Sequence, residues 1–277
     1  MSRHRQRERS LARQAGTAAA PGAAAAGATI AARATADPAA ATGRRPAIDA
    51  LRGIAICLMV VYHFSFDLRR YHLIAADFES DPFWLGFRAL IVTSFLTLAG
   101  VSLVLADAAG TPPAKFAKRV ALIIACALAV SVVSYVDAPR RFIYFGILHC
   151  IALASLLAWP LRRRPRAALA AGLAIVAAGL TLSHPAFDPR ALSWLGFTTM
   201  KPPTEDYVPL APWAGVVLIG VAIGRAVVGS RHRGHGALAA APQWLRWLGR
   251  HSLAVYMVHQ PLLLGLLWLA VRLRGLG

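Results

Sequence analysis

The chain lacks the signatures of soluble nucleotide-binding and hydrolytic enzymes. It has no Walker loop, no G-x-S-x-G elbow and no H-E-x-x-H pair. Cysteine is scarce. Cys57, Cys126 and Cys150 all lie in apolar runs without metal-ligand spacing, and three thiols cannot all pair. They read as small core hydrophobes, and no metal site is expected. Acidic residues number 12 against 30 Lys and Arg, giving a net charge of +18. Such a charge invites nucleic acid, but the arginines sit in the N-terminal tail and in short gaps between apolar runs. With no aromatic-interleaved basic groove, no nucleic-acid partner is expected.

Apolar residues dominate instead. At 57% hydrophobic and 15% charged, the composition is that of a membrane protein. A hydrocarbon core of about 30 Å needs roughly 20 apolar helical residues. Runs near that length occur at 46–66, 83–106, 120–136, 142–160, 167–183, 208–228 and 249–271. No pattern of short alternating segments marks a β-barrel. The sequence therefore predicts an all-α, polytopic membrane helical bundle of about seven transmembrane helices over 46–271, with the lipid bilayer as its solvent. Residues 272–277 form a short C-terminal tail.

Residues 1–45 differ in kind. A basic start, MSRHRQRERSLAR, leads into a segment built almost wholly of Ala, Gly, Thr and Pro. That composition predicts a disordered cytoplasmic tail, although a basic start and an alanine run also mimic a secretory signal. Charge counting decides. With the N-terminus inside, the inner segments 1–45, 107–119, 161–166 and 225–250 hold eight, three, four and five Lys and Arg. The outer segments hold two each, and the acidic cluster Asp77, Glu79 and Asp81 falls outside. The positive-inside rule then places the N-terminus in the cytoplasm. The longest connection, 184–207, reads either as a lid on the outer face or as a plain interfacial loop.

One stripe of the first helix breaks the apolar pattern. In RGIAICLMVVYHFSFD, at about 100° per residue, Asp49, Arg52, His63 and Asp67 fall within roughly 60° of one another. Arg52 and His63 stand about 16 Å apart along the axis. Ionisable groups at membrane depth are costly and face the bundle interior, so they mark function by default. Arg52 suits an anionic group arriving from the cytoplasm. His63 suits a general base, with Asp67 one turn on to orient the ring. The bland alternative is an Arg52 that snorkels to the interface and pairs with Asp49.

The last run carries a second constellation, RHSLAVYMVHQP. Ser252, Tyr256 and His259 share one face, with Arg250 at its start and Gln260 before Pro261. His259 reads equally as a site residue, as one end of an interhelical hydrogen bond or as a satisfied histidine beside a kink. His149, alone in its apolar run, reads as structural first. Thr93, Thr97 and Gly100, with Gly215, Gly220 and Gly224, suit close helix packing. Arg88 is placed to meet Asp67 or the outer loop.

Arg, ten residues, then His on a first transmembrane helix resembles the hallmark of O-acetylating integral-membrane acyltransferases. More closely, IDALRGIAICLMVVYHFSFDL (48–68), FLTLAGVSLVL (95–105), FGILHCIAL (145–153), DYVPLAPWAGVVLIGVAIGR (206–225) and LGRHSLAVYMVHQPLL (248–263) resemble bacterial relatives of heparan-α-glucosaminide N-acetyltransferase. The resemblance implies a membrane acyltransferase of the bacterial inner membrane. Its implied co-substrate is acetyl-CoA or another acyl-CoA, taken from the cytoplasm, and its acceptor an envelope glycan or small amino sugar on the far side. On that reading His63, Asp67 and His72 are the catalytic candidates. Arg52, Arg250 and His259 bind acyl-CoA, and Asp206, Tyr256 and His149 meet the acceptor. His72 enters because the lysosomal enzyme carries asparagine at the position of His63 and places its histidine in the loop after helix one. A proton-coupled small-molecule transporter is the competing reading of the buried His, Asp and Arg. Against it stand the missing internal repeat and the single broken helix.

Overall fold

The computed structural model describes residues 45–229, 238 and 240–273. The predicted tail lies outside the described residues but for Arg45, and the C-terminal tail but for Arg272 and Leu273. Among the described residues there are nine α-helices, one 3₁₀ turn and no strand. They are α1 (Pro46–Arg70), α2 (Pro82–Ala108), α3 (Pro113–Asp137), α4 (Ile147–Ala158), α5 (Pro165–Thr181), α6 (Arg190–Ser193), α7 (Leu210–Gly229), α8 (Gln243–Arg250) and α9 (Ser252–Leu273), with the 3₁₀ turn at Pro185–Phe187 between α5 and α6.

Proline sets several starts. Pro46, Pro82, Pro113 and Pro165 open their helices, where a missing N–H costs nothing and φ is already helical. Asp81 caps α2 by accepting from the Phe83 N–H at 2.8 Å. In α1, Asp49 lies in the first turn and Arg69 and Arg70 in the last, each complementing the helix dipole.

Five helices, α1, α2, α3, α7 and α9, are long and apolar enough to cross a bilayer. The expected spans at 142–160 and 167–183 appear as shorter apolar helices of 12 and 17 residues. Twelve residues rise only about 18 Å. Irregular chain at 138–146 leads into α4, and the backbone of Phe142 and Ile143 is met from neighbouring segments. Ser134 Oγ accepts from the Ile143 N–H, Ser131 Oγ donates to the Ile143 carbonyl, and Thr204 Oγ1 donates to that of Phe142.

The main core joins α2, α4, α5 and α7 around Leu96, Val104, Cys150, Ala168, Val217 and Val221. Glycine brings α2 and α7 into backbone contact. A Cβ on Gly100 would stand 2.1 Å from the Val217 carbonyl oxygen, and one on Gly220 would stand 2.4 Å from that of Thr97. The Thr97–Gly100 seam thus meets the α7 glycines. A second core joins α1 and α2 through Ile56, Met59, Tyr62, Phe78 and Ile91. Exposed Val132, Val133 and Val136 on α3, and Leu262, Leu266 and Trp268 on α9, present apolar surface as a bilayer requires.

The long connection 184–207 is tied together by its own hydrogen bonds. Thr199 donates to Asp188 through both its N–H and its hydroxyl. Tyr207 donates to the Ser193 carbonyl, and the Leu210 N–H to that of Trp194.

Because the Gly100 site faces backbone, Gly100→Ala is expected to lower the melting temperature in detergent by several degrees, consistent with an overpacking cost of about 1–3 kcal/mol. Gly86→Ala, with nothing within 4 Å of the added carbon, is expected to be neutral or slightly stabilising. Equal melting temperatures for both variants would contradict the packing account.

Candidate active site

Near its start, α1 carries Arg52, which pairs with Asp49 at 3.0 Å and donates to Ser102 Oγ of α2 at 2.6 Å. Contact between the beginning of α1 and the end of α2 makes the two antiparallel. A cavity of about 120 Å³ opens here among α1, α2, α3, α4 and α9. Its polar lining is Arg52, Ser102, Arg119, Ser252 and Tyr256, and its walls include Phe95, Ile123 and Leu148. Two guanidinium groups thus share one small apolar-walled chamber, an arrangement that favours an anion.

Arg119 escaped the sequence reading because the apolar run was begun at 120 and Arg119 counted as loop charge. The Pro112-Pro113 pair was the available signal, since it starts α3 at Pro113 and puts Arg119 within the helix. Arg250 ends α8 and is exposed. Its neighbour Gly249 lies against α1, where a Cβ would stand 1.8 Å from the Asp49 carbonyl oxygen. Arg250 therefore flanks the turn that bears Arg52, outside the cavity lining.

Toward the other end of α1, His63 packs against His259 of α9, with ring centroids 5.0 Å apart at 60°. Tyr256, which lines the cavity, also touches the His259 ring at 5.5 Å, so the chamber and the histidine pair are contiguous. His259 is buried, and its Nδ1 lies 2.6 Å from the Tyr256 carbonyl oxygen. Asp67 is 1% exposed. Its bond runs from Gln260 Nε2 to Asp67 Oδ1 at 2.8 Å. No hydrogen bond joins Asp67 to His63 among the described residues. The one-turn spacing puts the two on one face, but α9 supplies the partner of each.

The other candidates are dispersed. His72 is exposed in the turn after α1, at φ +56°. His149 has both nitrogens engaged, Nδ1 accepting from the Gly146 N–H at 3.2 Å and Nε2 lying 3.3 Å from Ser131 Oγ. Arg88 donates to the Tyr207 carbonyl and so meets the 184–207 connection. Asp206 accepts from the Ile147 N–H at 2.9 Å and thereby caps α4. Gly146 makes room for it, since a Cβ there would stand 2.4 Å from Asp206 Oδ2.

A further polar cluster fixes the bundle rather than the cavity. Asp107 at the end of α2 pairs with Arg162, Arg163 and Arg225. Arg162 also lies 3.9 Å over the Trp159 ring, which stacks on Phe116 at 4.0 Å. One carboxylate so ties α2 to the α4–α5 link and to α7.

Burial raises the Asp206 carboxyl above its ordinary value, against the lowering effects of the Ile147 N–H and of Arg88 and Lys201. An acid whose folded pKa is raised binds its proton more tightly when folded. Its contribution therefore falls as pH rises from about 4 through the folded pKa, then levels. Asp206→Asn, which keeps the acceptor for Ile147, is expected to remove that slope from the difference in melting temperature between pH 4 and pH 8. Asp206→Leu is expected to lose about 1 kcal/mol relative to Asp206→Asn at every pH by uncapping α4. An unchanged slope in Asp206→Asn would contradict the assignment.

Comparison with known proteins bears on this geometry. Residues 44–261 match the family model described as heparan-alpha-glucosaminide N-acetyltransferase, catalytic. No curated protein and no solved structure gives a match. The matched span holds α1 with its Arg52–His63–Asp67 stripe, the cavity, and α9 as far as His259 and Gln260. A family match over most of the chain, together with helices long and apolar enough to span a bilayer, makes this a membrane protein of acetyltransferase type, a member of the heparan-α-glucosaminide N-acetyltransferase catalytic-domain family.

Proposed function

We propose that the chain is an acyltransferase that moves an acetyl, or similar acyl, group across a bacterial inner membrane. The donor is acyl-CoA on the cytoplasmic side, and the acceptor an amino sugar or hydroxyl of an envelope glycan on the outer side. The observation that carries this reading is the order of groups along the α1–α9 seam. Arg52 and Arg119 stand in a chamber near the start of α1, Tyr256 lies at its wall, and the histidine pair is contiguous with it. The positive-inside count supports placing the arginine end in the cytoplasm, with the N-terminus inside.

In this reading Arg52 and Arg119 hold CoA phosphates, with Arg250 contributing charge at the entrance. The thioester then points toward His63. His63 removes a proton from the acceptor amine or hydroxyl as the heteroatom attacks the thioester carbon. The new C–N or C–O bond forms, the C–S bond breaks, and the thiolate leaves to be protonated. Asp67, strapped to Gln260, holds α1 and α9 in register beside the reacting groups.

Acetyl-CoA turnover in proteoliposomes, read by thiol release with glucosamine or crude envelope glycan as acceptor, tests the reading. His63→Ala is expected to lower acceptor-dependent turnover by about 100-fold or more. Arg52→Ala is expected to raise KM for acetyl-CoA about tenfold, the scale of a lost charged hydrogen bond. His72→Ala is expected to retain turnover, and loss there alone would move the chemistry to the loop after α1. A folded wild type that neither binds nor turns over acetyl-CoA would overturn the proposal.

A further inference from the structure

Buried polar groups in a fold are nearly always hydrogen-bonded, and each exception asks for an explanation. Among the described residues four buried side-chain atoms have no partner: Asp67 Oδ2, His259 Nε2, Gln260 Oε1 and Arg246 Nε. Three of the four meet at one place, the α1–α9 seam. His259 and Gln260 are consecutive, and Gln260 is bonded to Asp67.

The chemistry of the His259 bond assigns its protons. A backbone carbonyl only accepts, so the contact between Nδ1 and the Tyr256 carbonyl at 2.6 Å puts the ring hydrogen on Nδ1. In the neutral imidazole Nε2 then carries the lone pair. That lone pair is the buried, unpartnered atom, and the ring packed against it from α1 is His63. The titratable groups packed on His259 are His63 of α1 and Tyr256 of its own helix, with Asp67 bonded to the neighbouring Gln260. Asp67 Oδ1 is engaged with Gln260, and although Oδ2 has no partner, the ring packed on His63 is that of His259; a tyrosine is no match for an imidazole as a proton acceptor near neutral pH. The seam therefore offers His63 a fixed imidazole acceptor in place of the carboxylate that the one-turn spacing along α1 had offered it.

We infer that His259 is the positioning residue for His63: its Nε2, without a partner in the ring packing seen here, accepts the N–H of one His63 nitrogen once the His63 ring turns toward it, which leaves the other nitrogen, with its lone pair, for the acceptor substrate. The inference rests on the proposed acyl transfer with His63 as base. When His63 takes the acceptor's proton it becomes an imidazolium whose second N–H is already directed at His259 Nε2, and the Nδ1–H to carbonyl bond holds that acceptor still. No covalent bond to His259 forms, and the proton taken from the acceptor is the one later available to the departing thiolate. The role differs from acyl-CoA binding, the assignment that resemblance had given to His259, and the two make opposite kinetic predictions.

The test compares His259→Phe and His259→Gln with wild type and His63→Ala in proteoliposomes, measuring kcat and KM for acetyl-CoA and the melting temperature of each. Phe fills the ring volume without an acceptor, whereas Gln retains an acceptor oxygen. His259→Phe is expected to lower kcat about 100-fold with KM for acetyl-CoA unchanged, and His259→Gln to recover to within about tenfold of wild type. Three outcomes overturn the inference while leaving an active wild type and a dead His63→Ala in place. These are a raised KM with kcat retained, which marks a CoA contact, equal kcat in Phe and Gln variants of normal melting temperature, and full activity in His259→Phe. Should His63→Ala itself stay active, the reading of His63 as base fails first, and the inference falls with it.

Discussion

A hydrocarbon surrounding gives buried polar groups no partners but one another, and this constraint organises the structure. Asp107 gathers three arginines from two segments, the α4–α5 link and α7. His149 spends both nitrogens on Gly146 and Ser131, and Asp206 is consumed in capping α4. The irregular chain at 138–146 persists because Ser131, Ser134 and Thr204 meet its backbone. Against this rule, acceptors with unmet capacity at the α1–α9 seam stand out. Elsewhere among the described residues only Arg246 Nε is a buried side-chain atom without a partner.

The two sides of the bundle are built for different tasks. Between α2 and α7, glycines press backbone on backbone, and a single added carbon has nowhere to go. That side is held by shape. Around α9, only His259 and Leu267 are buried, so α9 meets the rest of the described chain through few interior groups. Its attachment near the seam is polar, running from Gln260 to Asp67. The helix that supplies half of the candidate site is held by that bond together with Leu253, Val255, Tyr256 and Met257, which pack against the hydrophobic cores.

Much of this was legible in the sequence. Length and apolarity gave the long helices, because bilayer thickness sets span length whatever the tertiary contacts. The stripe Asp49–Arg52–His63–Asp67 followed from helical periodicity alone, and the structure turns those residues toward α2 and α9. What periodicity cannot give is the partner across a helix pair. Asp67 was read as the support of His63 because both lie on one helix, and its bond to Gln260 depends on how α9 packs. Arg119 was hidden by a helix that begins seven residues before its apolar run. Helix α8 was hidden because Gln243, Arg246 and Arg250 interrupt the apolar pattern, so that the last run begins at 249 and the residues before it count as inner loop.

The same geometry explains why α8 matters although it lies outside the chamber. A Cβ at Gly53 would stand 2.1 Å from the Leu245 carbonyl oxygen, and one at Gly249 1.8 Å from that of Asp49. Two glycines, one on each helix, therefore lock α8 onto the single turn of α1 that carries Arg52. Trp244 and Trp247 of α8 remain exposed, the placement that indole rings favour at a membrane–water boundary. Any shift of α8 relative to that boundary is transmitted to the Asp49–Arg52 pair by backbone contact rather than by flexible side chains. The guanidinium that heads the stripe is thus positioned from two directions, by Ser102 of α2 within the bundle and by α8 at its edge. The spacing from Arg52 to the histidine pair is then set by one uninterrupted helix, α1, which gives the anion chamber and the proposed reacting end a fixed separation.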